Sequence, residues 1–281
     1  MDIPYRMIEN DKFSVFYKPA FWKMDTDAKY NLTNFTIPKL LDMKVKPLHV
    51  YIGLLLKNKN KNHKFTNLSS YDVCHRYDLH TTGMIIVASN SNYFNTLRSA
   101  ICDKKNTRKI YVTLVNGIMK VKSGYINKNI VKELKQGRRQ KYCICKTSTT
   151  HGLCACSYYK VVSEYVDTNG NEYSLVQVKI FTGRTHQIRV HLASLGHSVI
   201  SDYKYCSEDI LKRNLNISRL FLLHNIYLSF KVNDKRFSYQ CNIPYMFQSI
   251  LQKLKCTNII ENYQNISQDM ITMKMENADA N

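Results

Sequence analysis

A chain of 281 residues with 44% hydrophobic and 11% aromatic residues can bury a substantial core, so its composition excludes a wholly disordered protein. Its 41 Lys and Arg residues against 21 Asp and Glu give a net charge of +20, an excess that repels itself and favours a polyanionic partner, nucleic acid before membrane. No apolar run approaches the roughly 20 residues of a membrane-spanning helix, and the N-terminus shows neither a signal nor a transit peptide, so we expect a cytoplasmic or nuclear protein that does not bind membrane.

The N-terminal half predicts strands and helices separated by one polar loop. In chain order they are a strand at 13–18, a helix at 47–59, an Asn- and Lys-rich loop at 58–70, a strand at 84–89 and a helix at 91–105. Pro19 ends the first strand, and the continuous apolar run 84–89 is typical of a buried strand. Ser91 is the predicted N-cap of the second helix.

The C-terminal half is richer in strands. The predicted elements are strands at 107–117, 154–162, 172–183 and 219–230, a hairpin turn at Asn169 and Gly170, and helices at 184–196 and 246–255. Residues 118–152 are Lys-rich and predict an extended basic arm. Because no linker or internal repeat is visible, we expect a single mixed α/β domain over residues 1–261, followed by a polar, disordered tail at 262–281.

The nine cysteines are an odd number, as expected for reduced thiols. Cys143 and Cys145, with Cys154 and Cys156, could meet across a hairpin as a four-thiolate zinc site. Zinc ribbons, however, generally use Cys-x-x-Cys knuckles rather than Cys-x-Cys. We therefore interpret the four as small half-buried hydrophobic residues and expect no metal.

Two stretches concentrate ionisable residues beside predicted core elements. "HRYDLHTTG" places His75, Arg76 and Asp78 before a buried strand, and "FTGRTHQIRVH" places further bases at a strand-to-helix junction, where helix N–H groups favour an anion. On spacing alone, Asp78 could merely form a turn and Arg189 could be a solvated helix residue. The same residues could equally form a reaction site with an ionised carboxylate and a guanidinium.

Family resemblance favours the reaction site. "HRYDLHTTGMIIVAS" and "TGRTHQIRVHLASLGHSVISDYKY" resemble the two signatures of the RluA-type RNA pseudouridine synthases, and the shorter "FYKPA", "RKIYVTLVNG" and "FLLHNIYLSF" resemble that family in the same order. The departures are Tyr77 for Leu, Thr82 for Ser, Phe21 for the Gly that often follows "KPA", and Ser198 for Pro. None removes a reactive group, while the long 118–152 arm is unlike the family.

The resemblance implies a cofactor-independent isomerase that converts uridine in structured RNA, tRNA or rRNA, to pseudouridine. It implies a fold with a mixed, largely antiparallel sheet flanked by helices. Asp78 is the implied catalytic carboxylate, Arg189 its opposing charge and Tyr111 the aromatic residue that packs on the target uracil. The order of the chemical steps at Asp78 stays open.

Further residues are implied or expected to contact RNA. Arg76 is the implied base-flipping residue, which fills the space of the extruded base. His75, Arg184 and His186 are further candidates. The run "KQGRRQK" is expected to bind phosphate through Lys135, Arg138, Arg139 and Lys141, and the alternative for these four residues is a solvated loop. We expect a monomer. The competing interpretation is an inactive RNA-binding protein with the same fold, which would have no need of the Asp78, Tyr111 and Arg189 trio.

Overall fold

The computed structural model describes residues 2–24, 36–44, 46–59, 73–136 and 141–274, apart from the side chains of 57–59, 136, 141 and 142. The chain divides into two compact units, Met1–Thr107 with Ser229–Ser238, and Arg108–Leu228 with Tyr239–Asn281. The sequence analysis expected one domain over residues 1–261. Each unit is mixed α/β with largely antiparallel strands, as the predicted fold class required.

The first unit is built on strands that pair in the order β1–β2–β5. Its elements are β1 (Tyr5–Glu9), β2 (Phe13–Lys18), β3 (Trp22–Lys23), α1 (Ile37–Asp42), β4 (Lys46–Pro47), α2 (Leu48–Lys59), β5 (Thr82–Ala88) and α3 (Ser91–Cys102). Every residue of β2 and β5 is buried, which explains the continuous apolar run of β5. The strand and helix predictions here are confirmed, but Asn90 rather than Ser91 caps α3, because its side chain accepts the Tyr93 N–H.

The second unit contains the larger share of strands. Its elements are β6 (Arg108–Asn116), β7 (Ser123–Asn127), β8 (Asn129–Gln136), β9 (Lys141–Ser148), β10 (Cys156–Val166), β11 (Glu172–Ile180), α4 (Gln187–Ala193), α5 (Glu208–Leu215), α6 (Tyr245–Lys253), β14 (Lys255–Ile259) and α7 (Gln268–Thr272). The strands β12 (Leu223–Val232) and β13 (Lys235–Gln240) pair with each other and have residues in both units.

Strands β6, β11 and β10 are antiparallel neighbours at the centre of the second unit. Strands β10 and β11 form the predicted hairpin, whose turn is closed by the Asp167 carboxylate through the N–H groups of Asn169 and Asn171. Gly170 has a φ of 79°, the left-handed conformation that the predicted Asn-Gly turn requires. The helix predicted at 184–196 is shorter, because His186 stands in the left-handed region, with φ 56°, immediately before α4.

The predicted basic arm contains the antiparallel pair β8 and β9, in register from Asn129 with Ser148 to Gln136 with Lys141. Its base is anchored in the second unit, because Ile130, Cys145 and Ala155 form a buried cluster with Val190 of α4. The arm is therefore attached to the helix that carries Arg189.

The segment from residue 262 to residue 274 is packed, although the sequence analysis expected a disordered tail. Met270 in α7 is buried in the core of the second unit. Lys179 of β11 donates to the carbonyls of Met270, Ile271 and Met273 at 2.6–3.1 Å, and Gln177 donates to those of Tyr263 and Asn265. Polar side chains on a neighbouring strand thus hold this segment by its backbone. Within the described residues, no helix is long and apolar enough to cross a membrane.

Candidate active site

The residues before Asp78 are fastened to β5. The Cys74 N–H donates to the Ile86 carbonyl at 2.9 Å, and the Ile86 N–H donates to Nε2 of His75 at 3.2 Å. His75 therefore uses Nε2 as an acceptor. The Tyr77 hydroxyl donates to the Met84 carbonyl at 2.7 Å, which adds a third contact to the same strand. These bonds fix the direction in which the chain enters the loop.

The residues after Asp78 are held by Lys18, at the end of β2. Its Nζ is fully buried and donates to the carbonyls of Pro19, Leu79 and Thr81 at 3.1, 3.0 and 2.7 Å. Burial lowers the pKa of Lys18 to about 7, and the charge of Asp78 acts in the opposite direction. A buried ammonium beside this loop thus anchors its backbone and places positive charge within reach of the carboxylate.

Phe21 explains one departure from the family pattern. Its φ is 66°, in the left-handed region where glycine carries no steric penalty and other residues are strained. Its N–H donates to the Leu79 carbonyl at 3.0 Å, and its ring meets that of His80 edge to face at 5.1 Å between centroids. Phe21 thus keeps the backbone turn that the Gly would make and adds a ring contact to the Asp78 loop.

Asp78 itself is half-buried within this loop, and Arg76 is exposed two residues before it. The Thr81 N–H closes a turn on the Asp78 carbonyl at 3.2 Å. The first unit therefore presents the predicted carboxylate and the predicted base-flipping guanidinium from one backbone segment, pinned on both sides.

Tyr111 lies in β6 of the second unit, opposite Val178 of β11. It is 5% exposed. Its neighbours Ile110 and Val112 belong to the hydrophobic core of that unit. Because side chains alternate along a strand, Tyr111 projects from the opposite face of β6.

Arg189 lies in α4, is buried, and pairs with the carboxylate of Asp202. Its Nε and Nη2 donate to Oδ2 and Oδ1 of Asp202 at 2.6 and 2.7 Å, a bidentate pair. The side chains are 3% and 0% exposed. The guanidinium carbon also lies 4.5 Å from the ring centroid of Phe221 and 5.1 Å from that of Tyr205. The bidentate carboxylate and the two aromatic rings therefore fix the orientation of the guanidinium.

A chain of hydrogen bonds connects the segment before α4 to strand β10 and the arm. The Thr182 hydroxyl donates to Oε1 of Gln187, whose Nε2 donates to the Ser157 hydroxyl. His191 bonds Ser157 through Nδ1 and the Lys128 carbonyl through Nε2. Burial lowers the pKa of His191 to about 4, so the ring is neutral near pH 7 and donates from Nε2. These residues stabilise the helix start.

Arg184 and His186, both predicted to contact RNA, are half-buried. The Arg184 N–H donates to Oε1 of Gln187, and its Nε donates to the Cys154 carbonyl at 2.9 Å. Nδ1 of His186 lies 2.7 Å from the Tyr205 hydroxyl. The structure therefore brings Arg184, His186 and Arg189 together in the second unit, whereas His75, Arg76 and Asp78 lie together in the first.

The remaining predicted RNA contacts belong to the arm. Lys135 is exposed on β8, as is Lys132. Arg138 and Arg139 lie outside the described residues, and of Lys141 only the backbone, in β9, is described. The described part of the arm thus offers solvent-facing ammonium groups.

The four cysteines weighed as a zinc site have different environments. Cys143 and Cys145 bring their sulfurs to 4.0 Å, and Cys154 is exposed. Burial raises the pKa of Cys145 to about 11 and that of Cys156 to about 12. Among the residues that the structure describes, no group of three or more His, Cys, Asp or Glu side chains could hold a metal ion.

Sequence reasoning missed three residues that organise the site: Lys18, Asp202 and Tyr205. All three lie inside quoted motifs, in "FYKPA" and "SDYKY". A fully buried lysine at a strand end and a carboxylate 13 residues from Arg189 give no periodic signal. Only the fold brings them to their partners.

The mixed α/β fold with its largely antiparallel strands is the fold class that the sequence resemblance implies. Comparison with known proteins agrees: residues 12–194 match the family model described as RNA pseudouridylate synthase. The chain belongs to this family.

Curated relatives and solved structures extend the likeness beyond the matched region. The chain is 25% identical over 241 residues to RNA pseudouridylate synthase domain-containing protein 1 of Danio rerio, covering 83% of this chain and 80% of that protein. It is 29% identical over 207 residues to ribosomal large subunit pseudouridine synthase D of Buchnera aphidicola, covering 69% of this chain and 62% of the relative.

Among solved structures, human RNA pseudouridylate synthase domain containing 1 superposes with a TM-score of 0.70 at 19% identity, covering 97% of this chain and 96% of that chain. At this identity the superposition supports the fold alone.

Proposed function

We propose that this protein is an RNA pseudouridine synthase that isomerises specific uridines of structured RNA, tRNA or rRNA, and acts as a monomer without a cofactor. The observation that carries the proposal is the pinned loop that presents Asp78 in a member of this family. The net charge of +20 supports a polyanionic substrate.

The reaction is an internal exchange of bonds. The bond from N1 of uracil to C1′ of the ribose breaks, the base rotates, and a bond from C5 to C1′ forms. C5 loses its proton to solvent and N1 gains one, so electrons balance without an oxidant or a nucleotide energy source. The chemistry needs a carboxylate at the sugar and a base that has been freed from its stack.

Asp78 is the proposed carboxylate, which either stabilises positive charge at C1′ or forms a covalent adduct. The buried ammonium of Lys18 favours the ionised form, since a nearby positive charge stabilises a carboxylate. Tyr111 is proposed to pack on the uracil, and Arg189 to supply the positive charge that opposes Asp78.

Arg76 is proposed to enter the space that the flipped base leaves, because its exposed planar guanidinium can replace lost stacking and hydrogen bonds. Lys135, Arg138, Arg139 and Lys141 are proposed to bind phosphate along the arm, and His75, Arg184 and His186 to contribute RNA contacts near the site. Phosphate contacts position the RNA, while the loops around Asp78 act on the base.

The test is release of tritium from C5-labelled uridine in tRNA and rRNA fractions. We expect Asp78→Asn to lose detectable turnover and to bind RNA as the wild type does, since the change removes the charge and the nucleophile but keeps the shape. Asp234→Asn is the matched control: it makes the same change in an exposed turn at a φ of 63°, which Asn tolerates.

Equal release from wild type and Asp78→Asn would remove Asp78 from the mechanism. No release from the wild type on any RNA fraction would instead favour an inactive RNA-binding protein. Arg76→Ala should reduce release from structured RNA more than release from a single-stranded oligonucleotide, because an unpaired base is cheaper to flip.

A further inference from the structure

Tyr205 connects the buried arginine to the arm. Its ring lies 5.1 Å from the guanidinium carbon of Arg189, and its hydroxyl accepts the backbone N–H of Cys145 in β9 at 3.0 Å. The same hydroxyl lies 2.7 Å from Nδ1 of His186. One side chain therefore contacts the arm, the residue before α4 and the guanidinium of Arg189.

The bond from the Cys145 N–H fixes one role of this hydroxyl. A backbone N–H can only donate, so the Tyr205 oxygen accepts from Cys145, and its single hydrogen is available to Nδ1 of His186. Burial raises the pKa of Tyr205 far above its usual range, so the hydroxyl keeps that hydrogen at every working pH. The Tyr205 hydroxyl is thus held by two groups, the Cys145 N–H and Nδ1 of His186.

A second contact joins the same stretch of chain to β9. Nζ of Lys204 donates to the Cys143 carbonyl at 2.8 Å. Residues two apart on a strand direct their backbone groups to the same side, so Cys143 and Cys145 present one edge of β9 to Lys204 and Tyr205. These side chains satisfy strand-edge groups that another strand would otherwise pair. Lys204 and Tyr205 therefore hydrogen-bond the backbone along one edge of β9.

We propose that Tyr205 is a positioning residue that couples the placement of the β8–β9 arm to the orientation of Arg189. RNA seated on the exposed lysines of the arm fixes β9, and β9 fixes the Tyr205 ring against the guanidinium through the Cys145 N–H. This inference rests on the proposed function, because it assigns the arm to RNA and Arg189 to the reacting site.

The first experiment compares Tyr205→Phe with Tyr159→Phe in the C5 tritium-release assay. Both changes remove a hydroxyl from a buried tyrosine of the second unit, but the Tyr159 hydroxyl makes a long hydrogen bond, 3.4 Å, to the Val121 carbonyl. We expect Tyr205→Phe to lower kcat about tenfold with KM changed less than twofold, since misplacement of a catalytic group acts on the chemical step. Tyr159→Phe should leave both within twofold.

The second experiment is a double-mutant cycle with Lys132→Gln/Lys135→Gln on the arm. In the wild-type background we expect the arm changes to raise KM and also lower kcat about threefold. In Tyr205→Phe they should raise KM alone, because the connection is already broken, so the two kcat effects should not multiply.

Multiplicative kcat effects, or an unchanged kcat in Tyr205→Phe, would overturn the coupling while leaving the synthase assignment intact. A wild type that releases no tritium would overturn the proposed function, and with it this inference. Equal urea midpoints for Tyr205→Phe and Tyr159→Phe would show that the lower kcat of Tyr205→Phe does not come from a less stable fold.

Discussion

Replacing Asp202 by Asn tests the buried arrangement around Arg189. The change keeps the shape of the side chain but leaves a guanidinium whose side chain is 3% exposed without its bidentate carboxylate. Removal of one partner of a buried ion pair costs about 3 to 5 kcal/mol. The rings of Phe221 and Tyr205 contact the cation in both proteins, so they do not alter this difference, and the lower end of the range is the cautious expectation. We therefore expect a loss of about 3 kcal/mol.

Thermal unfolding followed by far-UV circular dichroism measures this loss. At about 2 to 4 °C per kcal/mol for a domain of this size, Asp202→Asn should unfold about 6 to 12 °C below wild type. The double variant Asp202→Asn/Arg189→Met also removes the buried guanidinium and should recover at least about 2 kcal/mol of the loss. A loss below about 1 kcal/mol for Asp202→Asn, or a double variant whose loss equals the sum of the two single losses, would refute a stabilising Arg189–Asp202 pair.

Three further outcomes are expected. Replacing Arg138 and Arg139 with Gln should weaken RNA binding and reduce the slope of log affinity against log salt by about 1.5, measured by fluorescence anisotropy; an unchanged slope would remove these residues from the interface. Burial lowers the pKa of Lys179 to about 7, so between pH 7 and its unfolded pKa the unfolded chain binds more protons and stability rises with pH. The free energy of unfolding in urea should therefore increase from pH 7 to pH 9 by about 2 kcal/mol more in the wild type than in Lys179→Met. Equal increases in the two proteins would contradict a buried lysine that titrates in this range. Finally, Phe21→Gly should be about 1 kcal/mol more stable than Phe21→Ala, because φ is 66° there, and the reverse order in urea unfolding would exclude a left-handed backbone.

Local patterns predicted the elements well where one face of a strand or helix is buried. In α3, the spacing of Phe94, Leu97 and Ile101 predicted the face that the structure buries. Boundaries were less predictable, because Asn90 and Ser91 are both good caps and only the backbone decides between them. The late start of the helix predicted at 184–196 also depends on a single residue, because His186 immediately before α4 has an uncommon conformation.

The partners of the candidate site residues could not be predicted from the sequence. The motifs only proposed Asp78 and Arg189 as site residues, since their sequence neighbourhoods resemble the family, and these roles stay predictions. Arg189 pairs with Asp202, which lies 13 residues further along the chain. Lys18 anchors carbonyls of the Asp78 loop that lie 61 to 63 residues further along. Such contacts arise from topology, which periodicity does not encode.

The attachment of residues 263–273 bears on how this protein tolerates change. Lys179 and Gln177 bind carbonyl oxygens, which every amino acid supplies, so most side chains of this segment can drift in sequence while its backbone path is retained. Met270, which the core encloses, is the evident exception. Cutting the chain at residue 262, where the sequence turns polar, would expose a lysine that is 1% exposed in the fold and strip it of three acceptors. A shortened version meant to fold should therefore retain the chain through residue 274.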